Sequence, residues 1–148
     1  YRVAKKRGHT MSARYLIGFD GSEASERAAD FAADVAAISG ASLHFVYVIE
    51  GRGRSGRVDL TEDQEADVEQ AERIAGPALI RYRERGLEVS HEIRRGKPGD
   101  ALTDAVKDLP AHHVFIGRKA MPSLADRLLG GVAVTLVQHS PVAVTVVP

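Results

Sequence analysis

Short apolar runs rich in β-branched residues alternate with stretches of helical periodicity along almost the whole chain, and few folds accept that order. Residues 14–19 form the first run and stop at the turn residues Asp20-Gly21-Ser22. Ser22 is a good N-cap for the segment that follows. There Ala28, Phe31, Ala32 and Val35 recur at three- and four-residue spacing, and Gly40 supplies the stop. Residues 42–49 alternate and predict a second strand. Residues 50–59 hold Gly51, Gly53 and Gly56 with three arginines and no periodicity, which predicts a mobile loop. A second helix is expected from near Thr61, with Glu62 and Asp63 suited to its N-terminal dipole. Its inward stripe reads Val68, Ala71, Ala75, Ala78, Leu79 and Tyr82, and Gly76-Pro77 predicts a kink or a restart.

Residues 87–93 alternate strictly, as a half-exposed edge strand would. Gly96-Lys97-Pro98-Gly99 reads as a turn, and Asp100 to Leu109 as a short helix packing through Leu102, Ala105 and Val106. Residues 112–116 give a fourth strand, residues 117–131 a long connection with one helical turn at Leu124–Leu129, and Val142 to Val147 a fifth strand. Residues 132–139 fit a strand by propensity and a helix by spacing; the upstream alternation favours the helix. The pattern β-α-β-α-β-α-β-α-β with near-continuous apolar strands predicts an α/β fold, an open five-stranded parallel sheet with helices on both faces. Ligands on such sheets bind beyond the C-terminal strand ends at the switch in strand order. That rule singles out Asp20, residues 48–50, Gly117 to Ala120, and Gly130-Gly131.

Composition narrows the function. The 148 residues carry 20 basic and 20 acidic side chains, so no bulk charge draws the chain to nucleic acid or an anionic membrane. Without cysteine there are no disulfides, thiol nucleophiles or Cys-based zinc sites. No apolar run has the length of a membrane span and no signal-peptide pattern opens the chain, so a cytoplasmic location is expected. Residues 1–10 are basic and aperiodic and end just before Met11. The expectation is a flexible tail over 1–12, with Met11 the natural start or the tail a functional basic arm, and one domain over 13–148. The histidines form no metal pattern: His112 and His113 are adjacent, and His44, His91 and His139 are scattered. Ser22 lies in Asp-Gly-Ser, not in a nucleophile elbow. Paired carboxylates for acid–base work are not evident.

Ile17-Gly18-Phe19-Asp20-Gly21-Ser22, Val46-Tyr47-Val48-Ile49-Glu50, and above all Gly117-Arg118-Lys119-Ala120, then nine residues, then Gly130-Gly131, carry a resemblance to the universal stress protein family. A closing apolar strand after Ser140-Pro141 also fits. Nucleotide-binding members of that family have G-x2-G-x9-G-[ST] after the fourth strand. Here Ala120 replaces the second glycine and Gly131 replaces the Ser or Thr. The resemblance implies a Rossmann-like sheet of the adenine nucleotide alpha hydrolase type, strand order 3-2-1-4-5. It also implies a stress-response or signalling module that binds ATP, AMP or cyclic AMP, with Mg2+ accompanying ATP. The module would have no catalytic residue and at most a slow, incidental ATPase activity. It would be a homodimer paired through the last strand, Val142 to Val147, with a protein partner that is not specified.

The resemblance also places the ligand. Gly18 and Phe19 would offer backbone near the base, Asp20 would accept a hydrogen bond from adenine or ribose, and Val48 would contact the base. Ile116, Gly117, Arg118, Lys119 and Ala120, with Gly130, Gly131, Val132 and Ala133, would surround the phosphates. Glycines there let backbone N–H groups approach an anion at a helix N-terminus. Read by residue chemistry alone, the same positions have plainer roles: Asp20 as a turn former, Phe19 as core, Arg118 and Lys119 as solvated charges. The two departures leave a second reading open, an interaction protein of the same fold that binds no nucleotide. A third, an adenylating enzyme, lacks the loops such enzymes carry, His-x-Gly-His or Ser-Gly-Gly-x-Asp-Ser.

Overall fold

The computed structural model describes residues 12–51, 56–57, 65–119 and 130–148. Its elements follow the expected alternation: β1 (Arg14–Gly18), α1 (Glu23–Ser39), β2 (Ser42–Ile49), β3 (Gly56–Arg57), α2 (Glu65–Glu84), β4 (Val89–Arg95), α3 (Pro98–Asp108), β5 (His113–Gly117), α4 (Gly131–His139) and β6 (Ala143–Val147). Five strands are parallel in the order β4-β2-β1-β5-β6, the predicted 3-2-1-4-5. The stretch read as a loop contributes a short addition, β3, which pairs antiparallel with the end of β4. Residues 132–139 are helical, in α4.

Each face of the sheet buries one apolar layer. Ile17, Leu43, Phe45 and Phe115 meet the alanine face of α1 and the Ala75, Ala78, Leu79 and Tyr82 stripe of α2. Leu16, Val46, Val114 and Ile116 meet Leu102, Ala105 and Val106 of α3 and Ala133 and Leu136 of α4. Small residues let α1 lie close on the sheet, so its inward face is Ala28, Ala29, Ala32, Ala33 and Ala36; Phe31, expected inside, is half exposed. Ser22 caps α1 by accepting from the Ser25 N–H at 3.3 Å, and Gly40 closes it in the left-handed conformation. The helix α2 runs unbroken through Pro77, where a kink or restart was expected. Proline removes the partner of the Arg73 carbonyl, but Arg73 and Pro77 face solvent, where water replaces that bond. Thr61, Met11, Ala120 and Leu124–Leu129 lie outside the described residues.

The third predicted strand is displaced. It runs Val89–Arg95 instead of ending at Ile93, and Arg94 is only 1% exposed. Its Nε donates to Glu92 at 2.6 Å and its Nη1 to Asp108 at 2.8 Å. Beside it His44 is buried, with Nδ1 at 2.8 Å from the Ser90 hydroxyl and Nε2 4.0 Å from Glu92. Burial holds the imidazole at about 4, well below its usual 6.5, although Glu92 favours the cation; Arg14, His91 and Arg94 oppose it. Between those two values the unfolded chain binds the proton more readily than the native protein. Stability therefore falls as pH drops through that window and is independent of this group above it. We expect His44 alone to withdraw on the order of 3 kcal/mol between about pH 7 and pH 4. Urea unfolding of the protein and of His44→Leu across that range checks this: the variant should show the shallower pH dependence, and equal slopes would assign the loss to other groups.

Candidate functional site

The helices that follow the neighbouring strands β1 and β5, α1 and α4, pack on opposite faces of the sheet, so a crevice opens at the C-terminal ends of β1, β2 and β5. It forms a cavity of about 280 Å³, near the lower end of the roughly 300–1,000 Å³ usual for ligand pockets. The residues singled out from the sequence line it, except Ile49, which does not, and Ala120, which lies outside the described residues. The wall also includes residues the sequence reading did not select: Ser22, Ala24, Ser25, Val46, Pro98 and Leu102. Pro98 and Leu102 enter because the start of α3 closes one side. The Gly96–Gly99 turn was visible, but nothing in it marks the side that faces a cavity. Glu50, which the strand-end rule selected, lines the cavity as well.

The residues divide by chemistry. Phe19 contributes backbone only; its ring is in the core, edge-on to Phe45, and its N–H is engaged by the Val46 carbonyl at 3.0 Å. Val48, Leu102 and Ile116 supply apolar wall. Asp20 is held by the turn it begins, with Oδ1 accepting the Ser22 N–H at 3.0 Å and Oδ2 paired with Lys119 Nζ at 2.6 Å. Burial works against its ionisation, but the Lys119 ammonium and the Ser22 donors outweigh it and hold the carboxyl at about 2, below its usual 3.8. Arg118 also lines the cavity and has no ion-pair partner among the described residues.

The anion-facing donors come from α4. Its first closed backbone bond is Val134 N–H to the Gly130 carbonyl, at 3.0 Å, and no side chain caps it. The N–H groups of Gly131, Val132 and Ala133 therefore have no acceptor among the described residues, and all three residues line the cavity. Among the described residues, apart from chain neighbours and the helix's own backbone, no heavy atom lies within 4 Å of where a β-carbon on Gly130 or Gly131 would be. Gly117 behaves differently. A β-carbon there would lie 2.0 Å from the Ala24 carbonyl oxygen, so this glycine admits the backbone of α1. The next amide, Arg118 N–H, is taken by the Val147 carbonyl at 2.7 Å. The N–H groups of Ala24 and Lys119, which also line the cavity, likewise have no acceptor among the described residues, so the open amides belong to α4, the start of α1 and Lys119 rather than to Arg118.

A doubly wound α/β domain with a cleft at its switch point and a helix N-terminus aimed into it is a known class of small-ligand binding domain. The universal stress protein family model matches residues 11–148, and the chain belongs to that family. It is 30% identical over 142 residues to universal stress protein Rv2624c of Mycobacterium tuberculosis, covering 93% of this chain and 50% of that protein. The chain thus spans about half the length of the curated relatives it matches. Among solved structures, a universal stress protein in complex with cAMP is 27% identical with a TM-score of 0.68, covering 92% of this chain and 97% of that one. An AMP-bound family protein from Arabidopsis thaliana is 14% identical with a TM-score of 0.65, covering 91% of this chain and 90% of that one, and shares the fold.

The two kinds of glycine predict different mutational outcomes. Gly117→Ala should cost about 3 kcal/mol, because backbone must move to admit the methyl group. Gly131→Ser enters open space and should change stability by less than about 0.5 kcal/mol. Chemical denaturation of both variants checks this, and equal losses would contradict the packing account of Gly117.

Proposed function

We propose that this protein is a homodimeric adenine-nucleotide binding module, taking AMP, cyclic AMP or ATP in the cavity at the ends of β1, β2 and β5. The observation that carries the reading is the set of three unaccepted N–H groups at the start of α4. They open into the same cavity as a fixed carboxylate and an apolar wall. A phosphate at α4 would take those donors, with Arg118 supplying charge. The base would lie against Val48, and Asp20 would accept from ribose or the adenine amino group. The cyclic AMP and AMP complexes among the structural neighbours support the adenine assignment. Mg2+ would enter with ATP, and Glu50 is the lining carboxylate with no cation beside it among the described residues. The protein would act by binding, with no catalytic group.

Dimerisation would use β6. Beyond it the sheet has no further strand among the described residues, and Val134 and Val137 of α4 are exposed. An open apolar edge of this kind calls for a partner strand. Light scattering should find a dimer at micromolar concentration; a monomer would remove this part of the reading.

Gly131 favours one competing reading, an interaction protein without nucleotide, because it cannot donate the hydroxyl of the family motif. Calorimetry with AMP, cyclic AMP and ATP separates the two. Binding is expected, and Gly131→Ser should tighten it about ten- to a hundredfold, the value of one hydrogen bond to a charged group. No heat at millimolar ligand from either protein would leave the interaction reading standing.

A further inference from the structure

Lys119 is positioned to do more than attract phosphate. Its ammonium reaches from the end of β5 to the end of β1 and occupies Asp20 Oδ2 at 2.6 Å, while the Ser22 N–H occupies Oδ1. Both carboxylate oxygens thus already have a donor. Each oxygen keeps a second acceptor site, but a ribose hydroxyl or an adenine amino group that takes the Oδ2 position held by the ammonium must displace the lysine. Arg118, next in the chain, is not engaged in this way.

We propose that Lys119 is a latch that makes use of Asp20 conditional on a phosphate in the same ligand, so that the site discriminates nucleotides from nucleosides. The proposal rests on the adenine-nucleotide reading and assigns its specificity. With the phosphate at α4, the lysine has a second anion within the same cavity. Its flexible stem carries the ammonium from carboxylate to phosphate, and Asp20 is released to accept from the nucleoside half. A nucleoside brings no anion; it either breaks the ion pair without a replacement or forgoes the Oδ2 position that the ammonium holds. Lys119 is 67% exposed and Asp20 39%, so the pair is weak enough to exchange readily.

The latch makes a prediction that a simple phosphate clamp does not. In Lys119→Met, AMP affinity should fall about tenfold, through loss of the ammonium–phosphate bond. Adenosine affinity should rise about two- to fivefold, the range spanned by an exposed ion pair. Lys119→Arg should keep the preference of the parent protein. Calorimetry with AMP and adenosine on the three proteins gives these ratios. Carbon-13 titration of the Asp20 carboxyl without ligand provides a second readout, expected to move upward in Lys119→Met. Adenosine binding that is unchanged or weaker in Lys119→Met, with AMP still bound by the parent, overturns the latch and leaves the nucleotide reading intact. An unmoved Asp20 titration overturns it as well, by removing the ion pair. Failure of the parent protein and both variants to bind AMP or adenosine overturns the nucleotide reading itself, and the latch with it.

Discussion

The close approach of α1 to the end of β5 is the constraint on which the site depends. Gly117 has no side chain, and the Ala24 carbonyl occupies the space one would take. Backbone against backbone at that point sets the depth of the first turn of α1, and with it the Asp20-Gly21-Ser22 turn that leads into the helix. Gly21 is fixed from the other side: it has φ +79°, and a β-carbon on it would lie 2.4 Å from Ile74 of α2. A side chain at either position would be strained or would push a helix outward. Between them, two glycines that admit close neighbours hold the carboxylate of Asp20 over the switch point.

A second constraint is polar. Arg94, Glu92 and Asp108 form a charged cluster, with the neutral His44 beside it, on the sheet face that carries α3, where an apolar layer would ordinarily lie. Two Arg94 donors are satisfied at short range, while Arg94 Nη2 and His44 Nε2 are buried without a hydrogen-bond partner. Replacing such a group with well-packed apolar residues is commonly neutral or stabilising, whereas removing one member of an ion pair is costly. The cluster ties the sheet to the end of α3 through Asp108, and α3 also supplies the Pro98 and Leu102 wall of the cavity. The site is therefore braced on one face by close packing and on the other by charge.

The order of elements could be read from the chain because a parallel sheet covered on both faces needs apolar strands, and apolar strands separated by helical periods have few other uses. Part of the cavity lining was legible for a related reason: the strand-end rule locates a crevice without knowledge of the ligand, and the family resemblance added Gly18, Phe19, Ile116, Val132 and Ala133. What escaped was whatever burial decides against residue type. Arg94 lay beyond the expected end of its strand, and its partners Glu92, two positions earlier, and Asp108, fourteen positions later, go with its burial. Phe31 looked like core, but the sheet takes the alanine face of α1 to gain a closer approach. Gly117 was recognised as a motif glycine, yet its necessity comes from Ala24, ninety-three positions earlier, a contact no local pattern reveals.

Of the two departures from the family motif, Gly131 lies within the described residues. Gly131 leaves the first turn of α4 with its donors but without a hydroxyl, so a phosphate there would be held by backbone and by mobile cations. The cations are offset by acids: among the described lining residues, Arg118 and Lys119 stand against Asp20 and Glu50. Such a lining exerts little net long-range pull on a polyanion, and selection falls to short-range bonds that form only when a ligand reaches both ends of the cavity. In the free protein the Lys119–Asp20 pair joins the ends of β5 and β1 within that lining. A ligand that separates the pair has to supply a cation's partner at one end and a donor at the other, and a phosphorylated nucleoside carries both.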